Sequence, residues 1–232
     1  MNRLLILPVL LLTLLMGTPA FSADFQRGLT AYDSGDYATA LREWEPLAKQ
    51  GNARTQYNVG LMYEKGRGVP QDYKTAVKWY RLAAEQGNAS AQFNLGVMYS
   101  KGQGVPQDDK TALRWFRLAA EQGNASAQTS LGVMYDNGRG VPQDYKTAMK
   151  WYRLAAEQGN ALAQIGLGVM YASGSGVIKD WVYAHMWANI AASNGKTGGK
   201  LRDLVAKRMT PAQIAEAQKL ARECVRKKYK GC

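Results

Sequence analysis

Asn88–Gly123, NASAQFNLGVMYSKGQGVPQDDKTALRWFRLAAEQG, decides the fold, because its pattern is written four times at a spacing of 36 residues. The copies are Asn52–Gly87, Asn88–Gly123, Asn124–Gly159 and Asn160–Gly195. RLAAEQGNA recurs at 81–89, 117–125 and 153–161, and GVPQD at 68–72, 104–108 and 140–144. A fixed period of this length is the signature of a solenoid of stacked helix pairs. Within the unit, Ala91, Leu95, Gly96 and Tyr99 fall on one helical face. Gly102 and Gly104 end that helix and open a loop. Asp108 and Asp109 stand where a second helix favours acids at its cap and first turn. Ala112, Trp115, Phe116, Ala119 and Ala120 then mark the buried face of that helix, and Gly123 ends it.

Positions that do not change between copies report what stacking demands. Gly60, Gly96, Gly132 and Gly168 sit in mid-helix, where glycine costs about 1 kcal/mol against alanine. Their common phase predicts a close helix–helix crossing. Tyr63, Tyr99, Tyr135 and Tyr171 hold a second phase, and Trp79, Trp115, Trp151 and Trp187 a third. These aromatics are expected to fill the seam between hairpins, since one hairpin alone leaves its apolar face wet. Glu85, Glu121 and Glu157 follow Arg81, Arg117 and Arg153 by four residues and read as surface ion pairs.

The phases Leu95-Gly96-x-x-Tyr99 and Ala112-x-x-x-Phe116-x-x-Ala119 resemble the tetratricopeptide pattern with a longer inter-helix loop. Together with GxGVPQD and WYRLAAEQGNA, they resemble Sel1-like repeats throughout 52–195. The resemblance implies an all-α fold, a right-handed α-solenoid of antiparallel helix pairs, serving as a non-enzymatic adaptor for protein complexes. Some exported Sel1-like proteins are described as penicillin-binding or weakly β-lactamase-like. Those carry a cysteine pair in each repeat, and this chain has none in 52–195.

Flanking segments complete the organisation. Met1–Ala23 reads as a signal peptide, with Arg3 at its start and an apolar stretch over 4–16 too short for a comfortable span. Cleavage after Ala23 leaves Asp24 first; Ala20 is the alternative. The reading makes the protein exported, periplasmic or secreted, and no integral membrane protein once processed. Residues 24–51 form a divergent, tetratricopeptide-like first hairpin, with Tyr32, Gly35, Asp36, Tyr37, Ala40, Trp44 and Leu47 in the ordinary phases. The fourth copy departs from the rest: His185 takes the place of Val77, Leu113 and Met149, Met186 that of Lys78, Arg114 and Lys150, and Ala188 that of Tyr80, Phe116 and Tyr152. An outer charge turned apolar implies a cover, and 196–232 is the candidate. That segment reads as a flexible break at 195–199, a short helix over 201–208, and a helix from Pro211 introduced by Thr210-Pro211-Ala212-Gln213.

The formal net charge is +12. Lys196–Cys232 holds 11 Lys/Arg against 3 Asp/Glu, so the array is near neutral and its tail basic. An exported basic tail points to an anionic envelope component, lipid or polymer, rather than nucleic acid. Cys224 and Cys232 could close a disulfide in an oxidising compartment, or Cys232 could bond another chain. Cys and His are too few for a zinc site, no phosphate-cradling loop or nucleophile triad appears, and no cofactor is implied.

Positions that vary between copies are free of the stacking demand. On the first helices they form one stripe: Arg54, Asn58, Leu61 and Lys65; Ser90, Asn94, Val97 and Lys101; Ser126, Ser130, Val133 and Asn137; Leu162, Gly166, Val169 and Ser173. Their spacing places each set on one helix face. In a tetratricopeptide-like array that face lines the concave side, where a peptide or partner helix would lie.

Overall fold

The computed structural model describes residues 24–195 and 198–232, so the proposed signal peptide lies outside the described residues. Twelve α-helices and no strand are present among them. Phe25–Asp33 (α1) and Tyr37–Lys49 (α2) form the first hairpin. The repeats follow as Ala53–Lys65 (α3) with Tyr73–Glu85 (α4), Ala89–Lys101 (α5) with Asp109–Glu121 (α6), Ala125–Asn137 (α7) with Tyr145–Ala156 (α8), and Ala161–Ser173 (α9) with Trp181–Asn194 (α10). Gly198–Ala206 (α11) and Pro211–Arg226 (α12) finish the chain. Each helix packs on its predecessor and its successor in sequence through the repeats, which makes an α-solenoid.

The helix ends follow from the repeated polar residues. Asn52, Asn88, Asn124 and Asn160 cap the first helices, their side chains accepting backbone N–H groups. Asp72, Asp108, Asp144 and Asp180 do the same for the second helices. Hydrogen bonds from Thr75, Thr111 and Thr147 hold the first three of these carboxyls below the usual range. Gly66, Gly102, Gly138 and Gly174 end the first helices in the left-handed region, with φ of 66°, 67°, 66° and 80°.

The core lies between hairpins. Ala76, Val77, Tyr80, Ala83 and Ala84 of α4 cluster with Ala91, Leu95 and Met98 of α5. Ala112, Leu113, Phe116, Ala119 and Ala120 of α6 repeat this with Ala127, Leu131 and Met134 of α7. Trp79, Trp115 and Trp151 pack each on the cluster before their own, filling the seam as expected. The mid-helix glycines have a specific neighbour: a Cβ on Gly60, Gly96 or Gly132 would stand 2.8, 2.7 or 2.5 Å from the ring of Tyr80, Phe116 or Tyr152 in the same hairpin. In the first hairpin Gly28 makes the same room for Trp44, whose indole N–H donates to the Phe25 carbonyl at 3.1 Å.

The fourth repeat shows why its pattern breaks. Ala188 supplies no ring for Gly168, and Leu201 of α11 occupies that space. Met186 and His185 are 2% exposed, beneath the cover that α11 and α12 lay on α10. The short helix expected over 201–208 begins earlier and ends earlier, as Gly198–Ala206, so Gly198 and Gly199 belong to α11 rather than to a break. A Cβ on Gly198 would lie 2.6 Å from the Ala191 carbonyl carbon, so the glycine serves a close backbone approach to α10. Thr210 and Gln213 form a full capping box at the start of α12. Beyond α12, Lys228 and Tyr229 turn through positive φ, and Cys224 is bonded to Cys232 across this turn.

Candidate interaction surface

A polar ladder that the apolar phases do not reveal ties the hairpins together. Gln56, Gln92, Gln128 and Gln164 are buried near the start of each first helix. Their Nε2 groups donate to Ala48, Ala84, Ala120 and Ala156 of the preceding second helix at 3.0, 3.0, 3.1 and 3.2 Å. Their Oε1 atoms accept from Gln86, Gln122 and Gln158 at 2.7, 2.7 and 2.8 Å, and in the fourth repeat from Asn194 at 3.0 Å. The Tyr229 hydroxyl donates to Asn194 Oδ1 at 3.1 Å, so the disulfide-bonded tail extends the ladder. A buried amide costs stability unless both its donor and acceptor are served, and each glutamine here is served on both sides. Exact recurrence at 36 residues was the available signal for these residues.

The arginines at 81, 117 and 153 do not pair with the glutamates four residues on. They donate to Tyr99, Tyr135 and Tyr171 of the next hairpin at 2.7, 2.9 and 3.2 Å. The reason is geometric: the tyrosine hydroxyl lies within reach of the guanidinium, which has five N–H donors to offer. Arg67 makes a like bond to Tyr32 in the first hairpin.

The stripe of variable residues lies outside the buried core, with Val97 packed against its edge. None of Arg54, Asn58, Leu61, Lys65, Ser90, Asn94, Val97, Lys101, Ser126, Ser130, Val133 and Asn137 is buried. Neighbours engage some of them: Arg54 stacks over the Phe25 ring at 4.2 Å, and Lys65 pairs with Glu64 at 2.6 Å. Asn94 lies beside the hydroxyls of Tyr57 and Tyr80. Tyr80 also donates to Glu64 at 2.6 Å, and burial, with that carboxylate, pushes its pKa up. Tyr152 lies beside Asp136 at the matching place, and burial raises both pKa values. Where the ring is Phe116, the matching position is Ser100, and where it is Ala188, Ala172. The acid is thus present only where a phenol needs an acceptor.

Along the array the stripe changes character. Its early members include Arg54, Lys65 and Lys101, whereas Leu162 and Val169 of α9 are exposed and apolar. Val169 continues into a cleft of about 470 Å3 between α9, the start of α10 and α11, with Trp181, Leu201 and Leu204 in its wall and Lys179 and Arg208 at its edge. Lys179 lies 4.4 Å from the Trp181 ring centre. Sequence reasoning reached Val169 but not the α11 wall. His185 is packed beneath α11 with its Nδ1 unpaired, and burial, then Arg202, lowers its pKa. No group of three metal-ligating side chains occurs among the described residues, and none of their helices is long and apolar enough to cross a membrane.

The profile of the Sel1 repeat matches four times, over 53–88, 89–124, 125–160 and 161–196. A Sel1 repeat protein from Oxalobacter formigenes is similar in structure, with TM-score 0.70, 34% identity, and coverage of 87% of this chain and 75% of that one. The protein c5321, a protective antigen of uropathogenic Escherichia coli with an SLR fold, gives TM-score 0.75 and 36% identity over 91% of this chain. This chain spans about half of c5321, 51% of its length. Among curated proteins the chain finds no match. Repeats of this fold generally act as scaffolds for protein–protein contacts and are typically not enzymes. Four contiguous matches, the same hairpin stack and relatives above 30% identity lead to one conclusion: the chain belongs to the Sel1 repeat family.

Proposed function

We propose that the protein is an exported interaction scaffold of the bacterial envelope or secreted space, and that it holds a peptide or partner helix along the variable stripe of its first helices. The observation that carries this reading is the stripe itself. It is a face of each first helix that varies between repeats and stays unburied, and it ends in an apolar cleft walled by α9, Trp181 and α11. The contact between α7 and α9, both first helices, supports reading this side as the inner one. The stripe's chemistry favours an amphipathic ligand, with acidic groups over Lys65 and Lys101 and an apolar anchor against Val169, Trp181 and Leu204. The chain's two cysteines are bonded to each other in the tail, which leaves no cysteine pair in the repeats to support a penicillin-binding reading.

The test is affinity capture from envelope extract, followed by titration of the captured partner. Val169→Asp with Leu204→Asp should weaken binding at least ~10-fold, because a charge in an apolar anchor site loses ~1.4 kcal/mol or more. Arg54→Glu with Lys65→Glu should weaken it and reverse its salt dependence. Glu121→Lys, away from the stripe, serves as control. Equal affinity for all variants, with helicity unchanged, removes this surface.

A further inference from the structure

We propose that maturation places a free α-ammonium on a buried carboxylate: cleavage between Ala23 and Asp24 turns the Asp24 nitrogen into the partner of Glu43. Glu43, on α2, is 1% exposed, a rare state for a glutamate without full compensation. Its Oε2 accepts from the Asp24 backbone nitrogen at 3.1 Å. Its Oε1 makes no hydrogen bond, although the Arg27 guanidinium stands 3.5 Å away. A peptide nitrogen at residue 24 has one N–H, which Oε2 already takes. An amino terminus at the same place has three N–H groups and a full positive charge, so it can serve both oxygens.

Local geometry fits a chain that starts here. Asp24 is the N-cap of α1, its carboxylate accepting from Gln26 and Arg27 at 2.7 and 3.1 Å. An ammonium at a helix N-terminus is opposed by the positive end of the helix dipole. Glu43 from one side and the Asp24 carboxylate from the other offset that repulsion. The two cleavage positions that the sequence allows are therefore not equivalent. Cleavage after Ala20 would leave Phe21, Ser22 and Ala23 ahead of Asp24, and an uncharged amide beside the buried carboxylate. The pairing concerns maturation and stands apart from the identity of any ligand on the stripe.

The full chain, expressed with residues 1–23 in an exporting bacterial host, tests this directly. Intact mass should show Asp24 as the first residue. Blocking the α-amine of the purified protein with an N-terminus-selective aldehyde should lower Tm by about 4 °C or more and increase hydrogen exchange in α1 and α2. In Glu43→Gln the same blocking should change neither quantity. The proposal is overturned by a first residue other than Asp24, by a wild-type protein indifferent to blocking, or by an equal effect of blocking in Glu43→Gln. If that variant does not accumulate, the wild-type comparison of free and blocked protein decides alone.

Discussion

Replacing Gln128 by methionine removes one rung of the ladder at nearly constant side-chain volume. Gln128 is 5% exposed and joins three helices, donating to Ala120 of α6 and accepting from Gln158 just beyond α8. A net intramolecular hydrogen bond contributes about 0.5–1.5 kcal/mol, so two such bonds set an upper figure of about 3 kcal/mol. The true cost is lower, because neither partner is left bare. The Ala120 carbonyl keeps the Gly123 N–H at 2.9 Å, and the Gln158 amide keeps the Leu154 carbonyl at 3.4 Å. The expected loss is therefore about 1–2 kcal/mol, which lowers the urea midpoint by about 0.5 M for an m-value of 2–3 kcal/mol/M. Gln158→Ala should cost a comparable amount, since it leaves the buried Gln128 Oε1 without its donor. The double variant should cost less than the sum of the two, because both singles break the same bond. An unchanged midpoint, or strict additivity, would show that the ladder decorates the stack rather than holding it.

Three other perturbations have expected outcomes. Gly132→Ala gains about 1 kcal/mol of helix propensity but drives a Cβ to 2.5 Å from the Tyr152 ring, for a net loss of about 1–2 kcal/mol. Gly168→Ala, facing a movable Leu201 at 3.0 Å and the Ala184 carbonyl oxygen at 3.2 Å, should cost less than Gly132→Ala, within about 1 kcal/mol of wild type in the same urea titration. Cys224→Ser with Cys232→Ser opens a bond spanning eight residues and should cost about 2.5 kcal/mol, read as a lower Tm with faster exchange in α12. His185 has a folded pKa below its ordinary 6.5, from burial and then Arg202, with Asp203 opposing. The unfolded chain binds the proton more readily, so stability is full above pH 6.5 and falls as pH drops from there through the folded pKa. His185→Met, the residue type at the equivalent Met149, should flatten that slope in denaturant midpoints measured between pH 5 and 7.

Much of this fold was legible because apolar phase and turn chemistry repeat together. Gly102, Asp108 and Trp115 each announce a structural duty, and the structure assigns them those duties. The ladder was equally visible as repetition, yet an amphipathic reading passes over polar residues. Gln92 buries itself by bonding across the seam, and only three-dimensional placement shows both bonds. Arg117 misled for the opposite reason: a local i, i+4 partner was in view, while the Tyr135 hydroxyl lies 18 residues away. Gly198 and Gly199 carried the loop signal of a glycine pair, but backbone crowding against α10 explains Gly198. The stripe could be drawn from variation alone. Its apolar end could not, because α11 supplies Leu201 and Leu204 from outside the repeat.

The central claim is that hairpins are interchangeable units joined by the same seam and the same glutamine bonds. Deleting residues 88–123 tests it most directly, because Gln128 should then take the place of Gln92, donating to Ala84 while still accepting from Gln158, and Gln86 should keep its bond to Gln56. Circular dichroism should show unchanged helicity per residue and a cooperative urea transition, with an m-value reduced in proportion to the surface removed. Loss of helicity, or a transition without cooperativity, would contradict the account.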